Sequence, residues 1–166
     1  MLPNVHIHDL RARRVLALAG LIAAAIAGVL AVGGSAPATA AGGCPGSLIE
    51  KRNLNVGGKK VGELAVYYDA STGKNCARMN HAGKTWGKAL KTRVWVGICS
   101  ERTPGNKTCH YDAKTDGVDV GKYKYYAGPV TTKKSARGRC IAASGYLWLN
   151  GKRHEVGTNP WVGHCG

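Results

Sequence analysis

Six cysteines constrain this 166-residue chain more than any other feature of its sequence. All of them lie downstream of an N-terminal stretch that has the pattern of an export signal, and they are Cys44, Cys76, Cys99, Cys109, Cys140 and Cys165. An even number of cysteines in a small exported domain is typical of a disulfide framework. We therefore predict three disulfides, each stabilising the fold by about 2 to 4 kcal/mol.

The N-terminus predicts export from the cytoplasm. Basic residues between positions 11 and 14 precede an apolar run over 15–32, and Ala38-Thr39-Ala40 then offers the small residues that signal peptidase accepts. We predict a cleaved signal peptide over residues 1–40 and a single secreted domain over 41–166. The alternatives are a retained membrane anchor and the twin-arginine route, at which Arg13-Arg14 hints.

A lipoprotein is a further alternative, because small residues precede Cys44. Acylation of Cys44 would leave five cysteines, and one thiol would then lack a partner in an oxidising compartment.

The disulfide connectivity is open from sequence alone, since six cysteines allow fifteen pairings. Sequential pairing, Cys44 with Cys76, Cys99 with Cys109 and Cys140 with Cys165, closes the smallest loops. Pro104-Gly105 between Cys99 and Cys109 is a strong turn signal and favours a bridge across a hairpin. A zinc site is the rival use of the cysteines, but the sequence has no Cys-x-x-Cys and no closely spaced histidine pair, so we expect no metal.

Short apolar and aromatic segments separated by turn residues predict an all-β fold. No convincing helical periodicity follows residue 40. We expect a small, disulfide-stabilised antiparallel β-sandwich or barrel, with strands over 61–69, 75–81, 90–100, 123–131, 139–144 and 146–150.

Alternation along the strand over 90–100 separates two faces. Val94, Val96 and Ile98 share one face; the other carries Lys91, Arg93, Trp95 and Cys99. A tryptophan between two cations either stacks on a ligand or packs against the disulfide or under a loop. In the next aromatic segment we expect Tyr123 and Tyr125 to face inward and Lys122 and Lys124 to face solvent.

The strongly basic composition predicts an anionic partner. Removal of residues 1–40 changes the formal charge from +15 to +13, and such an excess attracts polyanions. Outside the cell these are anionic wall or spore-surface polymers, phospholipid head groups, or nucleic acid bound non-specifically. The sequence leaves open whether the basic segments form one patch. The polyanion-binding candidates are Lys91, Arg93, Trp95, Lys122, Lys124, Lys133, Lys134, Arg137, Arg139, Lys152 and Arg153.

No motif specifies a reaction, so we expect neither enzymatic activity, catalytic residues nor a cofactor. A Gly-x-Ser-x-Gly elbow, a His-Glu-x-x-His motif and a phosphate-binding glycine loop are all missing from the sequence. A small secreted hydrolase or nuclease is the alternative, with a general base among His81, His110, His154 and His164.

Four sequence blocks together resemble the spore-associated protein A family of small secreted actinobacterial proteins. The blocks are residues 67–76 (YYDASTGKNC), 125–130 (YYAGPV), 138–140 (GRC) and 163–166 (GHCG). The resemblance implies a small exported protein at the spore or cell surface without an established activity. It also supports pairing of Cys140 with Cys165, and it does not extend to residues 82–121.

The leading functional prediction is therefore a secreted, basic, surface-associated protein that binds anionic wall polymers. One alternative is a protein-binding module, an inhibitor or interbacterial effector, that uses the Cys99–Cys109 loop as its protrusion. The small hydrolase or nuclease is the other alternative.

Overall fold

Eight strands form two antiparallel four-stranded sheets. The computed structural model describes residues 43–166; the predicted signal peptide lies outside them. One sheet, called sheet I, has the order β1-β2-β3-β6, with β1 over Ser47–Val56, β2 over Lys59–Asp69, β3 over Lys74–His81 and β6 over Tyr126–Thr131. Sheet II has the order β5-β4-β7-β8, with β5 over Gly117–Tyr123, β4 over Leu90–Ile98, β7 over Ile141–Leu149 and β8 over Lys152–Gly157. The all-β prediction is confirmed.

The main core lies between the sheets and is formed by the inward face of each strand. Leu64 and Met79 of sheet I pack with Val94, Val96 and Leu147 of sheet II. The prediction that Val94, Val96 and Ile98 share one face is therefore correct, and Ile98 is half-buried against the same core. A second, smaller core covers part of the outer face of sheet II and contains Trp95, Cys99, Cys109, Cys140, Ala142 and Val162.

The cysteines form three disulfides in the sequential pattern. Cys44 is bonded to Cys76, Cys99 to Cys109 and Cys140 to Cys165. No free cysteine occurs in the part of the chain that the structure describes. Because the sulfur of Cys44 is bonded to Cys76, it is not available for acylation in this fold.

The predicted strand pattern lacks β1 and β8, and two of its divisions are wrong. The segment 123–131 is not one strand, because a turn at Lys124-Tyr125 divides it and its two parts belong to different sheets. Conversely, 139–144 and 146–150 form the single strand β7, because Gly145 packs against the Met79 side chain instead of forming a turn. The prediction for Tyr125 is corrected with them: this side chain lies in the turn and is exposed, not inward.

The two ends of the sandwich differ in composition. One end, called the lysine end, is formed by the β1–β2 turn, the segment 82–89, the β5–β6 turn and the β7–β8 turn. Hydrogen bonds from the backbone N–H of His81 to Tyr125 O (2.8 Å) and of Gly87 to Lys124 O (2.9 Å) join the end of β3 and the segment 82–89 to the β5–β6 turn. All three disulfides lie at the opposite end, called the disulfide end, which also holds the loops 99–116 and 132–140 and the segment 158–166.

The described residues contain single 3₁₀ turns at Gly83–Thr85 and Ala113–Thr115. Within residues 43–166, no helix has both the length and the apolar character needed to span a bilayer.

Candidate functional site

The strand register of sheet II places basic and aromatic side chains in one row across its outer face. Lys91 on β4 is paired with Lys122 on β5, while Trp148 on β7 is paired with Arg153 on β8. Thr92 is paired with Leu147, which makes Lys91 and Trp148 neighbours, and the Lys91 ammonium lies 5.8 Å from the Trp148 ring centroid. We call Lys122, Lys91, Trp148 and Arg153 the basic row. It lies next to the lysine end.

Trp95 lies on the same outer face but is not a free stacking surface. Only 5 % of its surface is exposed, and its indole N–H donates to the Asp116 carboxylate over 2.7 Å. It belongs to the second core with Cys99 and Cys109, so its prediction as a polyanion-binding residue is corrected: the packing alternative is the one observed. Arg93, two residues earlier, stays partly exposed.

A shallow depression of about 210 Å³ lies on this face beside the basic row. We call it the aromatic depression. Tyr111 contacts Trp95 edge-on with ring centroids 5.0 Å apart, and Trp161 is stacked beside Trp95 at 6.0 Å. The lining residues are Arg93, Trp95, Tyr111, Ser144, Glu155 and Trp161. This surface therefore combines aromatic rings with one cation, one carboxylate and two hydroxyls, those of Ser144 and Tyr111.

The lysine end is the most cationic part of the described surface. Nine exposed basic side chains share it, and they are Lys59, Lys60, Lys84, Lys88, Lys91, Lys122, Lys124, Lys152 and Arg153. Two of the nine have a carboxylate partner, since Lys60 is paired with Glu63 and Arg153 with Glu155. Trp86 and Tyr125 form an exposed aromatic pair among them, with ring centroids 4.9 Å apart.

The remaining polyanion-binding candidates lie at the disulfide end, so the basic segments do not form one patch. Lys133, Lys134, Arg137 and Arg139 belong to the loop 132–140. The Arg137 guanidinium donates to the carbonyl oxygens of Ala70 and Ser71 in the β2–β3 turn, and Arg139 donates to Ser100 O. These two arginines therefore tie loops together.

Acidic side chains offset the cations at the disulfide end. The cleft that Lys134 and Arg139 line, about 280 Å³ in volume, also contains Asp112. Asp69 is ionised over most of the pH range, because hydrogen bonds from Ser71 and Thr72 lower its pKa to about 2. We therefore expect the disulfide end to bind polyanions more weakly than the lysine end does.

Three of the four candidate catalytic histidines are held by structural partners. The His81 ring is buried between Thr85 O and the Thr92 hydroxyl, and burial lowers its pKa. Nδ1 of His110 lies 2.6 Å from Glu101, and this contact lowers the pKa of the glutamate. His164 is paired with Glu50 over 2.5 Å. His154 lies on β8 and is partly buried.

Cys99, Glu101 and Cys109 bring potential metal-ligand atoms within 4.8 Å of one another. Both sulfurs belong to one disulfide, and zinc binds thiolates. The cluster therefore lacks the chemistry of a zinc site.

The predicted loop protrusion is attached along its length. Gly105 exchanges two backbone hydrogen bonds with Val162 (2.9 and 3.0 Å), and Arg102 donates to Gly138 O. The loop is exposed, but it is held against the C-terminal segment.

Several residues on the outer face of sheet II were not predicted from the sequence as site residues. Tyr146 and Trp148 share one strand face, with the buried Leu147 between them, and this alternation is a local signal that could have identified them. Tyr111, Trp161 and Glu155 join the surface through loop closure and strand pairing, for which the sequence has no local signal.

Comparison with known proteins provides no family assignment. No protein-family model, no curated protein and no solved structure matches this chain. The resemblance to the spore-associated protein A family therefore stays a prediction.

Proposed function

We propose that this chain is a secreted protein of the cell or spore surface that binds anionic wall polymers through its lysine end. The observation that carries the proposal is the grouping of nine exposed cations, seven without a carboxylate partner among the described residues, at one end of the sandwich. Clustered cations attract a polyanion more strongly than the same number dispersed, because one polymer segment contacts several at once. The three disulfides are consistent with a location outside the cytoplasm.

The aromatic side chains of this surface fit a polymer better than a free ion. Trp86 and Tyr125 are exposed within the lysine end, and Trp148 lies inside the basic row. A free phosphate ion needs only cations in order to bind. Aromatic rings among the cations can also contact the apolar parts of a polymer chain.

The test measures retention of the protein on immobilised poly(glycerol phosphate) as a function of NaCl concentration. Replacement of Lys84, Lys88, Lys122 and Lys124 by Gln removes four cations from the lysine end. The matched control replaces Lys107, Lys114, Lys133 and Lys134, which are exposed at the disulfide end, and changes the net charge equally.

We expect the lysine-end variant to elute at lower salt than the control variant, with a smaller slope of log affinity against log salt. Removal of one phosphate contact reduces that slope by about 0.7 to 0.9. Equal weakening of both variants would show that net charge alone is responsible. Absence of wild-type retention at low salt would also refute the proposal, and tighter retention on single-stranded DNA would refute the choice of wall polymer.

A further inference from the structure

We infer that the aromatic depression on the outer face of sheet II binds one sugar ring. The anionic polymer recognised by the protein is then a sugar-bearing one. The inference that the sugar belongs to an anionic polymer rests on the proposed function. The inference that the depression binds a sugar ring rests on the geometry of the depression.

Two glycines allow the rings of the depression to lie flat on the sheet. A Cβ atom at Gly97 would lie 2.4 Å from Trp95 Cζ2, and one at Gly157 would lie 2.7 Å from Trp161 Cζ3. Real Cβ atoms do not approach a ring so closely, so each indole occupies the space that a side chain would take. The floor of the depression is therefore set by β4 and β8 themselves.

Disulfides fix the loops that supply the walls. Tyr111 forms a backbone bridge with Cys99, which is bonded to Cys109. Trp161 lies between the bonded residues Cys140 and Cys165 in the chain.

A hydrogen bond holds the Trp161 backbone as well, because its N–H donates to Asn106 Oδ1 over 3.0 Å. Both aromatic walls are thus fixed before any ligand arrives. Such a surface is preorganised, so binding costs little conformational entropy.

The chemistry of the lining matches a pyranose. A sugar ring has an apolar C–H surface that packs on aromatic rings and hydroxyls that both donate and accept. Tyr111, 51 % exposed, offers the aromatic surface; Glu155 accepts, Arg93 donates and the Ser144 hydroxyl does either. The volume of about 210 Å³ is below the roughly 300 Å³ at which pockets for drug-sized ligands begin, which suits a single ring.

Other occupants fit the lining less well. Arg93 repels the quaternary ammonium groups that aromatic cages bind. The Glu155 carboxylate repels phosphate, so a phosphodiester chain does not run through the depression. Phosphates have a better place on the basic row, because Lys91 lies two residues from Arg93, about 7 Å along β4. A polymer that binds the basic row through a phosphate would thus place a neighbouring sugar in the aromatic depression.

The test titrates the wild-type protein with neutral N-acetylglucosamine tetramer and follows the tryptophan indole N–H signals by NMR. We expect the Trp161 signal to shift. Tyr111→Ala should weaken the apparent affinity at least tenfold, whereas the matched variant Tyr126→Ala, an exposed tyrosine of sheet I, should leave it unchanged. Folding of both variants is checked by the remaining spectrum, and Glu155→Gln should weaken binding while leaving the rings in place.

A second arm separates the sugar site from the proposed function. Retention on poly(glycerol phosphate) is compared with retention on the same polymer bearing N-acetylglucosamine. If neither sugar probe adds binding while the plain polymer is retained, the sugar site is refuted and the proposed function stands. If the tetramer binds but neither polymer is retained, the proposed function fails alone. Tighter binding of adenosine monophosphate than of the tetramer would refute the sugar class.

Discussion

Trp95 depends on the glycine two residues further along its own strand. The side chains of residues 95 and 97 point to the same face of β4, and the indole lies across the Gly97 backbone. In this position its N–H reaches Asp116. The absence of a Cβ atom at Gly97 therefore allows the Trp95 indole, the largest side chain of the second core, to lie flat on the sheet instead of pointing into solvent.

We expect Gly97→Ala to destabilise the protein by about 1 to 3 kcal/mol, the usual cost of overpacking, since the new methyl group displaces the indole. Urea unfolding followed by tryptophan fluorescence measures the change. Gly105→Ala is the control, because the atom nearest to its Cβ position lies 3.7 Å away, and it should unfold as wild type does. A Gly97→Ala protein of unchanged stability would contradict the packing described for Trp95.

At the scale of the elements, the three disulfides close loops of different length. Cys44 and Cys76 are 32 residues apart, whereas Cys99 and Cys109 are 10 apart. A longer closed loop removes more entropy from the unfolded chain. The bridge between Cys44, which precedes β1, and Cys76 of β3 is therefore the stronger constraint on the unfolded state.

We expect removal of the Cys44–Cys76 pair, as a double Cys→Ala variant, to cost about 1 kcal/mol more than removal of Cys99–Cys109. The two double variants are compared by urea unfolding under identical conditions. The reverse order would mean that the loop 99–116 contributes more through packing in the second core than loop length accounts for.

Sequence patterns predict the strands whose alternation is clean and miss those in which charge conceals it. The strands β2, β3 and β4 lie close to their predicted bounds. The strand β1 is absent from the prediction, because Glu50, Lys51 and Arg52 interrupt its apolar residues, and β8 is absent for a similar reason. The turn at Lys124-Tyr125 lacks glycine and proline, so nothing local separates β5 from β6.

The candidate site is predictable only where it depends on one strand. The prediction that Lys91, Arg93 and Trp95 share one face of β4 is correct, because alternation is a local property. The neighbours of that face come from strand pairing in sheet II and from loops closed by disulfides, which are long-range contacts. The burial of Trp95 results from such contacts as well.

At the scale of the whole molecule, the most cationic surface and the covalent cross-links lie at opposite ends of the sandwich. The disulfide end holds all three bridges, and the lysine end holds nine exposed cations. Repulsion among those cations opposes the compact state. This repulsion acts at the end of the sandwich that is remote from the disulfides, where strand pairing and the main core hold the sheets together.

We expect the melting temperature to rise as NaCl increases from about 10 to 200 mM, because salt shortens the range of charge repulsion. Differential scanning calorimetry measures the change. The variant with Lys84, Lys88, Lys122 and Lys124 replaced by Gln should show a smaller rise than wild type. A melting temperature that falls with salt in wild type would indicate that favourable ion pairs dominate the surface instead.

The position of Gly166 has a practical consequence for orientation. Its carbonyl oxygen accepts a hydrogen bond from the Gly138 N–H, so residue 166 lies beside the loop 132–140. A tag or fluorophore added after residue 166 emerges on the side remote from Trp86 and Tyr125. Protein immobilised through such a tag would present the lysine end to the solution, where a polymer can bind it. Random coupling through lysine amines would instead consume the amino groups that make this surface cationic.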